Sequence, residues 1–181
     1  MIRKMTLDDV AAVSAAMARA FWDDPLQCWF LPDESTRLDR LERMFAGQAR
    51  YSSIPQGECY TDDTCATGAF WAPPGKQQSV DEVLRAMEPL QQIVGDAIVR
   101  FRAAFSAMHA VHPVVPHFYL AGLGTDPPRQ GEGLASRALQ PVFERCDANA
   151  IPAYLESTKA ENVAFYEGHG FRVTEEIEPP P

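Results

Sequence analysis

The feature that most constrains the fold of this chain is a glycine- and proline-rich loop between two apolar segments, at residues 123–135. Residues 116–123 are the aromatic and aliphatic types that favour a β-strand. After the loop, apolar residues recur at helical spacing through residues 133–148. The pattern predicts a strand, a tight loop and a helix. Gly131 and Gly133 would allow unusual backbone angles there, and the first N–H groups of the helix could bind an anion such as pyrophosphate.

This loop differs from the common phosphate-binding motifs. A single residue separates Gly131 from Gly133 and no third glycine follows, so the spacing does not fit the GxGxxG pattern of dinucleotide-binding proteins. It also lacks the Gly-Lys-Ser/Thr ending of nucleoside triphosphate loops, and the chain has no Gly-x-Ser-x-Gly elbow of a serine hydrolase. Taken alone, two glycines at a helix start are equally consistent with a tight turn whose helix cap is already satisfied.

The whole chain alternates between segments with strand and helix patterns, which indicates a single α/β domain over residues 1–181 with a partly parallel sheet. Thr6 and Ser35 are the predicted N-caps of two helices. Residues 79–108 are predicted to form an inserted helical pair, interrupted at Pro89 and Gly95. The predicted strands are residues 2–5, 57–60, 66–72, 116–123, 151–156 and 171–177, and the other predicted helices are residues 6–22, 35–53, 133–148 and 160–167.

The composition argues against several classes of partner. The net charge of -9 and a pI near 4.9 argue against nucleic-acid binding, whereas an acidic surface can attract cations or simply confer solubility. No apolar run has the length of a membrane-spanning helix, and no secretory leader opens the chain. The four cysteines form no CxxC pair, which favours reduced thiols. We therefore expect a soluble cytoplasmic protein without nucleic-acid or membrane partners.

Two blocks of the sequence resemble the GNAT superfamily of N-acetyltransferases. Residues 130–135, Gln-Gly-Glu-Gly-Leu-Ala, match its acyl-CoA signature Arg/Gln-x-x-Gly-x-Gly/Ala. Residues 162–171 resemble a second region of the family, in which an asparagine precedes a tyrosine and a Gly-Phe pair. The resemblance implies a GNAT-like mixed, partly parallel central sheet flanked by helices. It also implies acetyl-CoA as co-substrate and an amine as acceptor.

The resemblance further implies roles for individual residues. Tyr166 would be the general acid near the thioester sulfur, Glu156 the general base or the anchor of a water relay, and the Leu123 N–H an oxyanion donor. Tyr166 could equally be a packed aromatic residue, and Glu156 a carboxylate that only orders its neighbours. Asn162 could bond local backbone, and Leu123 could take part in ordinary sheet pairing. The residues implied to bind acetyl-CoA are Leu123, Gly124, Thr125, Gln130, Gly131, Glu132, Gly133, Leu134, Ala135, Ser136, Asn162 and Tyr166.

The sequence departs from the family pattern in two places. Glu132 carries an unfavourable charge for a pyrophosphate site, so we expect its side chain to point to solvent while its N–H contributes, with weaker affinity for CoA. Relatives usually continue into a seventh strand after the one predicted at residues 171–177, and these 181 residues do not contain it. The edge left open could pair with another chain, so a homodimer is a further expectation.

Metal chemistry is not expected from this sequence. The histidines have no cysteine or carboxylate near them that completes a recognisable ligand set, so packed or solvated rings are the simpler interpretation. These histidines are His109, His112, His117 and His169.

The leading hypothesis is transfer of an acetyl group from acetyl-CoA to a primary amine of a small molecule by direct attack on the thioester. A puromycin-like antibiotic, a polyamine or an amino acid derivative would fit as acceptor. The alternatives are a protein acetyltransferase acting on lysines or N-termini, and a CoA-binding module without catalysis. A pocket closed by the helices predicted at residues 79–108 would favour a small molecule, and a groove open on both sides of the sheet would favour a protein.

Overall fold

A five-stranded sheet runs through the centre of the computed structural model, which describes residues 1–76 and 95–178. The strands lie in chain order, and each of the first three pairs with the next in antiparallel orientation, whereas β4 and β5 are parallel. This mixed sheet confirms the predicted α/β class. The strands are β1 (Ile2–Lys4), β2 (Cys59–Asp62), β3 (Thr67–Ala72), β4 (Phe118–Thr125) and β5 (Ala153–Tyr154).

Helices cover both faces of the sheet within the described ranges. Short 3-10 segments lie at Leu7–Asp9, Gly95–Ala97, Pro127–Arg129 and Ala160–Asn162, and a π-helical turn lies at Ala49–Ser53. The α-helices are α1 (Val10–Ala20), α2 (Pro25–Phe30), α3 (Glu34–Gln48), α4 (Ile54–Gln56), α5 (Ile98–Val111), α6 (Leu134–Asn149) and α7 (Val163–Glu167).

The apolar core is divided by the sheet into two clusters. Adjacent residues of β3 point to opposite faces, so Phe70 packs with α1, α3 and α5, whereas Trp71 packs with α6. Both side chains are buried, which shows that β3 is covered on both sides. Leu139 and Val142 of α6 belong to the cluster that contains Trp71. Their packing fixes the direction in which α6 leaves β4.

Two glycines allow α1 to approach the sheet closely. Gly68 of β3 and Gly124 of β4 are register partners. A Cβ atom at either position would lie 2.9 Å from a side-chain atom of α1, Val13 Cγ1 for Gly68 and Met17 Sδ for Gly124. The absent side chains therefore bring α1 against the end of β4 that leads into the loop.

A buried polar contact ties α6 to the sheet. Arg145 of α6 forms an ion pair with Glu58, which precedes β2, and the Tyr60 hydroxyl donates a hydrogen bond of 2.8 Å to Glu58 Oε2. The Arg145 guanidinium also lies over the ring of Phe118, 5.0 Å from its centroid. These contacts restrain the far half of the helix whose start forms the predicted anion site.

Two boundaries in the N-terminal half differ from the prediction. Helix α3 begins at Glu34 with Asp33 as its N-cap, not at Ser35, because Asp33 Oδ1 accepts a hydrogen bond from the Ser35 N–H. Helix α2 was not predicted, although Asp24 as N-cap and Pro25 in the first turn are the residues that start a helix.

The prediction of a strand at residues 171–177 is wrong. Residues 171–178 carry no strand hydrogen bonding and are mostly exposed, because no neighbouring strand of the described chain pairs with them. For the same reason the strand predicted at residues 151–156 shortens to Ala153–Tyr154, which pairs only with β4. An extended, apolar sequence forms a strand only where a partner supplies the other half of each hydrogen bond.

The helical insertion is described only in part. Helix α5 covers the end of the predicted segment, and residues 77–94, including the predicted break at Pro89, lie outside the described residues. The insertion as a helical pair and the single domain therefore stay predictions. In the two described ranges, no helix has the length and apolar character required to span a membrane.

Candidate functional site

The sheet opens between β4 and β5. These parallel strands pair only at Phe118 with Ala153 and at Tyr119 with Tyr154, although β4 continues to Thr125. The gap holds a cavity of about 230 Å³. Its walls come from the end of β4, the segment after β5 and the start of α7 on one side, and from α2, α3 and α5 on the other.

The outer edge of β4 offers backbone groups to this opening. The Asp126 N–H bonds to Ala66 O on the β3 side. Because alternate residues of a strand direct their N–H groups to the same edge, Gly124 also faces β3, and Leu123 faces the opening. Leu123 lines the cavity, so the residue predicted as oxyanion donor lies where a ligand can reach it.

The loop after β4 forms an uncapped helix start. Gly131 and Gly133 have φ angles of +79° and +72°, a left-handed conformation that favours glycine. Gly133 is the N-cap of α6, and no side chain bonds to the first N–H groups of that helix. The backbone of residues 131–133 is exposed. This arrangement fits a pyrophosphate, because the helix start presents unpaired N–H groups and the positive end of the helix dipole.

Polar side chains of the loop form hydrogen bonds and an ion pair within the loop and with the end of β4. Gln130 Nε2 donates a hydrogen bond of 3.1 Å to the Thr125 carbonyl, so this side chain holds the loop against β4. Glu132 is exposed as expected, but it forms an ion pair with Arg129 at 2.7 Å. Glu132 therefore partly neutralises the charge of the Arg129 guanidinium. The Arg137 side chain donates a hydrogen bond to the Glu132 carbonyl.

Tyr166 and Asn162 lie at the opposite edge of the opening. Tyr166 of α7 lines the cavity, and burial raises the pKa of its hydroxyl to about 12. The group is therefore protonated at neutral pH and can donate a proton. Asn162, the N-cap of α7, also lines the cavity, and its side chain makes no capping hydrogen bond.

Glu156 is the buried carboxylate of the opening. Burial raises its pKa, and hydrogen bonding from Tyr119 and Tyr154 acts in the opposite direction with smaller effect. Its Oε1 is buried without a hydrogen bond among the described residues, and His112 Nδ1 lies 3.5 Å away. A buried carboxylate with an incomplete set of partners is a candidate general base.

A histidine cluster behind Glu156 was not assigned a role from the sequence. His117 Nδ1 lies 2.7 Å from the Val115 carbonyl, and His117 Nε2 lies 2.9 Å from His112 Nε2. His112 also packs edge-on against Tyr119 and Tyr154. Burial and the neighbouring histidines lower the pKa of His112 to about 4. The fold supplies this proximity, since these residues come from α5, the segment before β4, and both parallel strands.

The prediction that these histidines bind no metal stays a prediction. No group of histidine, cysteine and carboxylate side chains in residues 1–76 and 95–178 has the geometry of a metal site.

The wall opposite the sheet is mainly aromatic, with the amides of Gln27, Gln48 and Gln56 and one carboxylate among its polar groups. Phe101, Phe105 and Met108 of α5 face the cavity, together with aromatic residues of α1, α2 and α3. Asp24 also lines it while capping α2, and the Thr158 hydroxyl donates a hydrogen bond to Asp24. Among the described residues, the charged side chains that line the cavity are the carboxylates of Asp24 and Glu156. Such a lining favours a cationic ligand with an apolar body.

Comparisons with known proteins agree with this geometry. Residues 83–171 match the model of the Acetyltransferase (GNAT) family. An uncharacterized N-acetyltransferase of Schizosaccharomyces pombe is 37% identical over 54 residues, which are 30% of this chain and 22% of that protein. The aligned segment therefore spans about a fifth of the length of the curated relative.

Solved structures share the fold. A Corynebacterium glutamicum protein described as histone acetyltransferase HPA2 and related acetyltransferase is similar with a TM-score of 0.70 and 22% identity, over 94% of this chain and 83% of that chain. Drosophila melanogaster polyamine N-acetyltransferase, which forms N-acetylagmatine, is similar with a TM-score of 0.58 and 16% identity, over 100% of this chain and 93% of that chain. At these identities the likeness concerns the fold alone.

The class that the fold defines is a mixed α/β sheet of the GNAT type, which opens between two parallel strands. The family model matches slightly less than half of the chain, so the comparisons establish a likeness to the GNAT acetyltransferases and a shared fold.

Proposed function

We propose that this protein transfers an acetyl group from acetyl-CoA to a primary amine on a small molecule that has an apolar body. The observation that carries the proposal is the position of Glu156, a buried carboxylate in the same cavity as Leu123 and Tyr166. The uncapped start of α6 lies beyond the same end of β4. An anion-binding helix start, a proton acceptor and a proton donor along one opening are the groups that this reaction requires.

Each residue has a distinct task in the proposed reaction. Acetyl-CoA supplies the thioester that the amine nitrogen attacks. Glu156 accepts the proton that the ammonium form of the amine must lose, directly or through one water. The Leu123 N–H donates a hydrogen bond to the carbonyl oxygen as it gains charge. The Tyr166 hydroxyl gives its proton to the departing sulfur and is reprotonated by the second proton that the nitrogen loses as the amide forms.

The acceptor wall supports a small molecule. Phe101 and Phe105 come from the described part of the predicted insertion, and they line the cavity opposite β4. The carboxylates of Asp24 and Glu156 would attract an ammonium group, while the aromatic rings would pack against the rest of the molecule. The sequence of residues 131–134, 151–157 and 165–167 resembles puromycin N-acetyltransferase, which supports including puromycin-like amines among the candidates.

The test is thiol release from acetyl-CoA with a panel of amines matched in pairs. Each pair has the same primary amine, one member with an aromatic or branched apolar body and the other with a short polar one. Agmatine, a polyamine and a lysine-containing peptide complete the panel. We expect higher kcat/KM for the apolar member of each pair. Turnover of the peptide alone would establish a protein acetyltransferase instead, and CoA binding without any turnover would establish a binding module.

The site for CoA has its own test in two glycines of equal geometry. Gly131 and Gly57 both have a φ of +79°, and a Cβ at either would meet no atom within 4 Å. Gly131→Ala and Gly57→Ala should therefore cost similar stability, about 1–2 kcal/mol. Only Gly131→Ala should raise the KM for acetyl-CoA, because only that residue precedes the start of α6. Equal KM values for the two variants would contradict the proposed pyrophosphate site.

A further inference from the structure

The groups behind Glu156 form a continuous chain with three junctions. The Val115 carbonyl meets His117 Nδ1, His117 Nε2 meets His112 Nε2, and His112 Nδ1 faces Glu156 Oε1. The first two junctions have hydrogen-bond distances of 2.7 and 2.9 Å. The third, at 3.5 Å, is wider, and Glu156 Oε1 has no hydrogen bond among the described residues.

Counting protons shows why the third junction is open. Three junctions need three protons, and a neutral imidazole carries one. Two neutral histidines and an ionised Glu156 therefore supply one proton too few. Because the Val115 carbonyl can only accept, His117 Nδ1 holds one proton; the pair of Nε2 atoms holds the other, on His112. His112 Nδ1 is then a lone pair that faces a carboxylate oxygen.

We propose that His112 is a positioning residue that makes Glu156 a proton acceptor, because one added proton completes the chain from Glu156 to Val115. The inference rests on the proposed function, in which Glu156 takes that proton from the ammonium group of the acceptor. The N–H bond of the ammonium breaks, its electron pair stays on nitrogen, and the proton is shared between Glu156 Oε1 and His112 Nδ1. It leaves to solvent when the product departs, and the second proton of the amine nitrogen replaces the one that Tyr166 gives to the sulfur, so one proton is released per turnover.

The surroundings of the pair are consistent with shared titration. Burial raises the pKa of Glu156 and lowers that of His112, so neither charged form is favoured alone and a shared proton satisfies both. His112 and Glu156 side chains are 15% and 12% exposed, so water does not replace the missing bond freely. The other titratable groups that face the chain are Tyr119 of β4, Tyr154 of β5, His109 of α5 and, beside Tyr154, Glu175.

Two substitutions of His112 separate this role from simple packing. In His112→Asn the amide can donate a hydrogen bond to Glu156 without titrating, which should move the acidic limb of the pH dependence of kcat down by about one pH unit. In His112→Phe the protonated carboxyl of Glu156 loses the acceptor that His112 Nδ1 offers, which should move the limb down by less than in His112→Asn. A packing role alone would lower kcat at every pH and leave the limb in place. Unchanged limbs in both variants would overturn the inference.

A spectroscopic titration tests the chain without turnover. In protein labelled with ¹³C-glutamate and ¹⁵N-histidine, the Glu156 carboxyl and the His112 ring should shift at one common pH in the wild type. In Glu156→Gln the amide can donate to His112 Nδ1 and complete the chain, so the His112 transition in that range should disappear. Independent transitions in the wild type would refute the relay. A common transition in a protein that acetylates no amine would leave the relay standing and refute the proposed function.

Discussion

Asp9 and Glu156 are two buried carboxylates of nearly equal exposure and opposite electrostatics. Their side chains are 11% and 12% exposed, but Glu156 lies deeper in the protein than Asp9. Asp9 accepts two hydrogen bonds of 2.7 Å from Arg3 and further bonds from the N–H and hydroxyl of Thr6. The Arg3 guanidinium holds the pKa of Asp9 well below its usual range, whereas burial raises that of Glu156.

The comparison teaches that depth and partners together decide what a poorly exposed carboxylate does. Asp9 closes the start of the first helical segment against β1 and has no capacity left to accept a proton at neutral pH. Glu156 Oε1 lies beside a cavity and accepts no hydrogen bond from residues 1–76 and 95–178. The first arrangement stabilises the fold, and the second can exchange a proton with a ligand.

The largest expected effect is on turnover by Glu156→Gln. Loss of the proton acceptor should lower kcat by about 10²–10⁴-fold, while Asp9→Asn should leave kcat per folded molecule unchanged. Steady-state thiol release, normalised to the folded fraction, measures both. Equal losses in the two variants would show that Glu156 has no special role in proton transfer.

The next effect is a loss of stability in Asp9→Asn. An amide cannot accept both guanidinium bonds, so the free energy of unfolding should fall by about 1.5–3 kcal/mol at pH 7. Because the folded-state pKa of Asp9 is lowered, its contribution is present above the unfolded pKa of about 3.9 and is lost as the pH falls below it. Urea unfolding of wild type and variant should thus converge in acid. A constant difference down to pH 2 would contradict the ion-pair account.

The sequence predicts the role of Asp9 better than that of Glu156, because residues close to Asp9 in the chain determine its role. Thr6 followed by Asp9 is a local helix-start pattern, and residues 130–135 predict the anion-binding turn. Neighbouring residues in the chain determine both features. Glu156 was a candidate only through the family resemblance. Its partners His112 and Tyr119 come from other elements, and only the parallel pairing of β4 with β5 brings them together.

The same reasoning explains what the sequence could not predict about the fold. The class of the sheet and the loop before α6 follow from periodicity and glycine placement. The prediction of a strand at residues 171–177 failed because a strand needs a neighbouring strand to pair with, and the local sequence pattern carries no information about that neighbour. Helix α2 could have been predicted from Asp24 and Pro25, which form a helix-start pattern.

A smaller effect, on the free energy of unfolding, should have opposite signs for substitutions of Glu156 and Asp9. Glu156→Gln should raise the free energy of unfolding at pH 7, opposite to Asp9→Asn, because the ionised carboxylate is the form that burial disfavours. A raised folded-state pKa contributes stability below the unfolded value of about 4.3, and this is lost as the pH rises through the folded-state pKa. The gain should therefore vanish in acid. A destabilised Glu156→Gln at pH 7 would mean that the tyrosine contacts outweigh burial.

The smallest effect concerns a third carboxylate, which has a partner but no burial. Glu132 pairs with Arg129 on the surface, and this guanidinium lowers its pKa. Because exposed pairs add little to stability, Glu132→Gln should leave the melting temperature unchanged. It should lower the KM for acetyl-CoA a few-fold, since Arg129 loses the carboxylate that neutralises it beside the helix start, and the gain should shrink at high salt. Glu144→Gln, an equal change of charge on the exposed face of α6, should leave the KM unchanged. Equal shifts in the two variants would assign the effect to overall charge, and a raised KM for Glu132→Gln would place the pyrophosphate away from this turn.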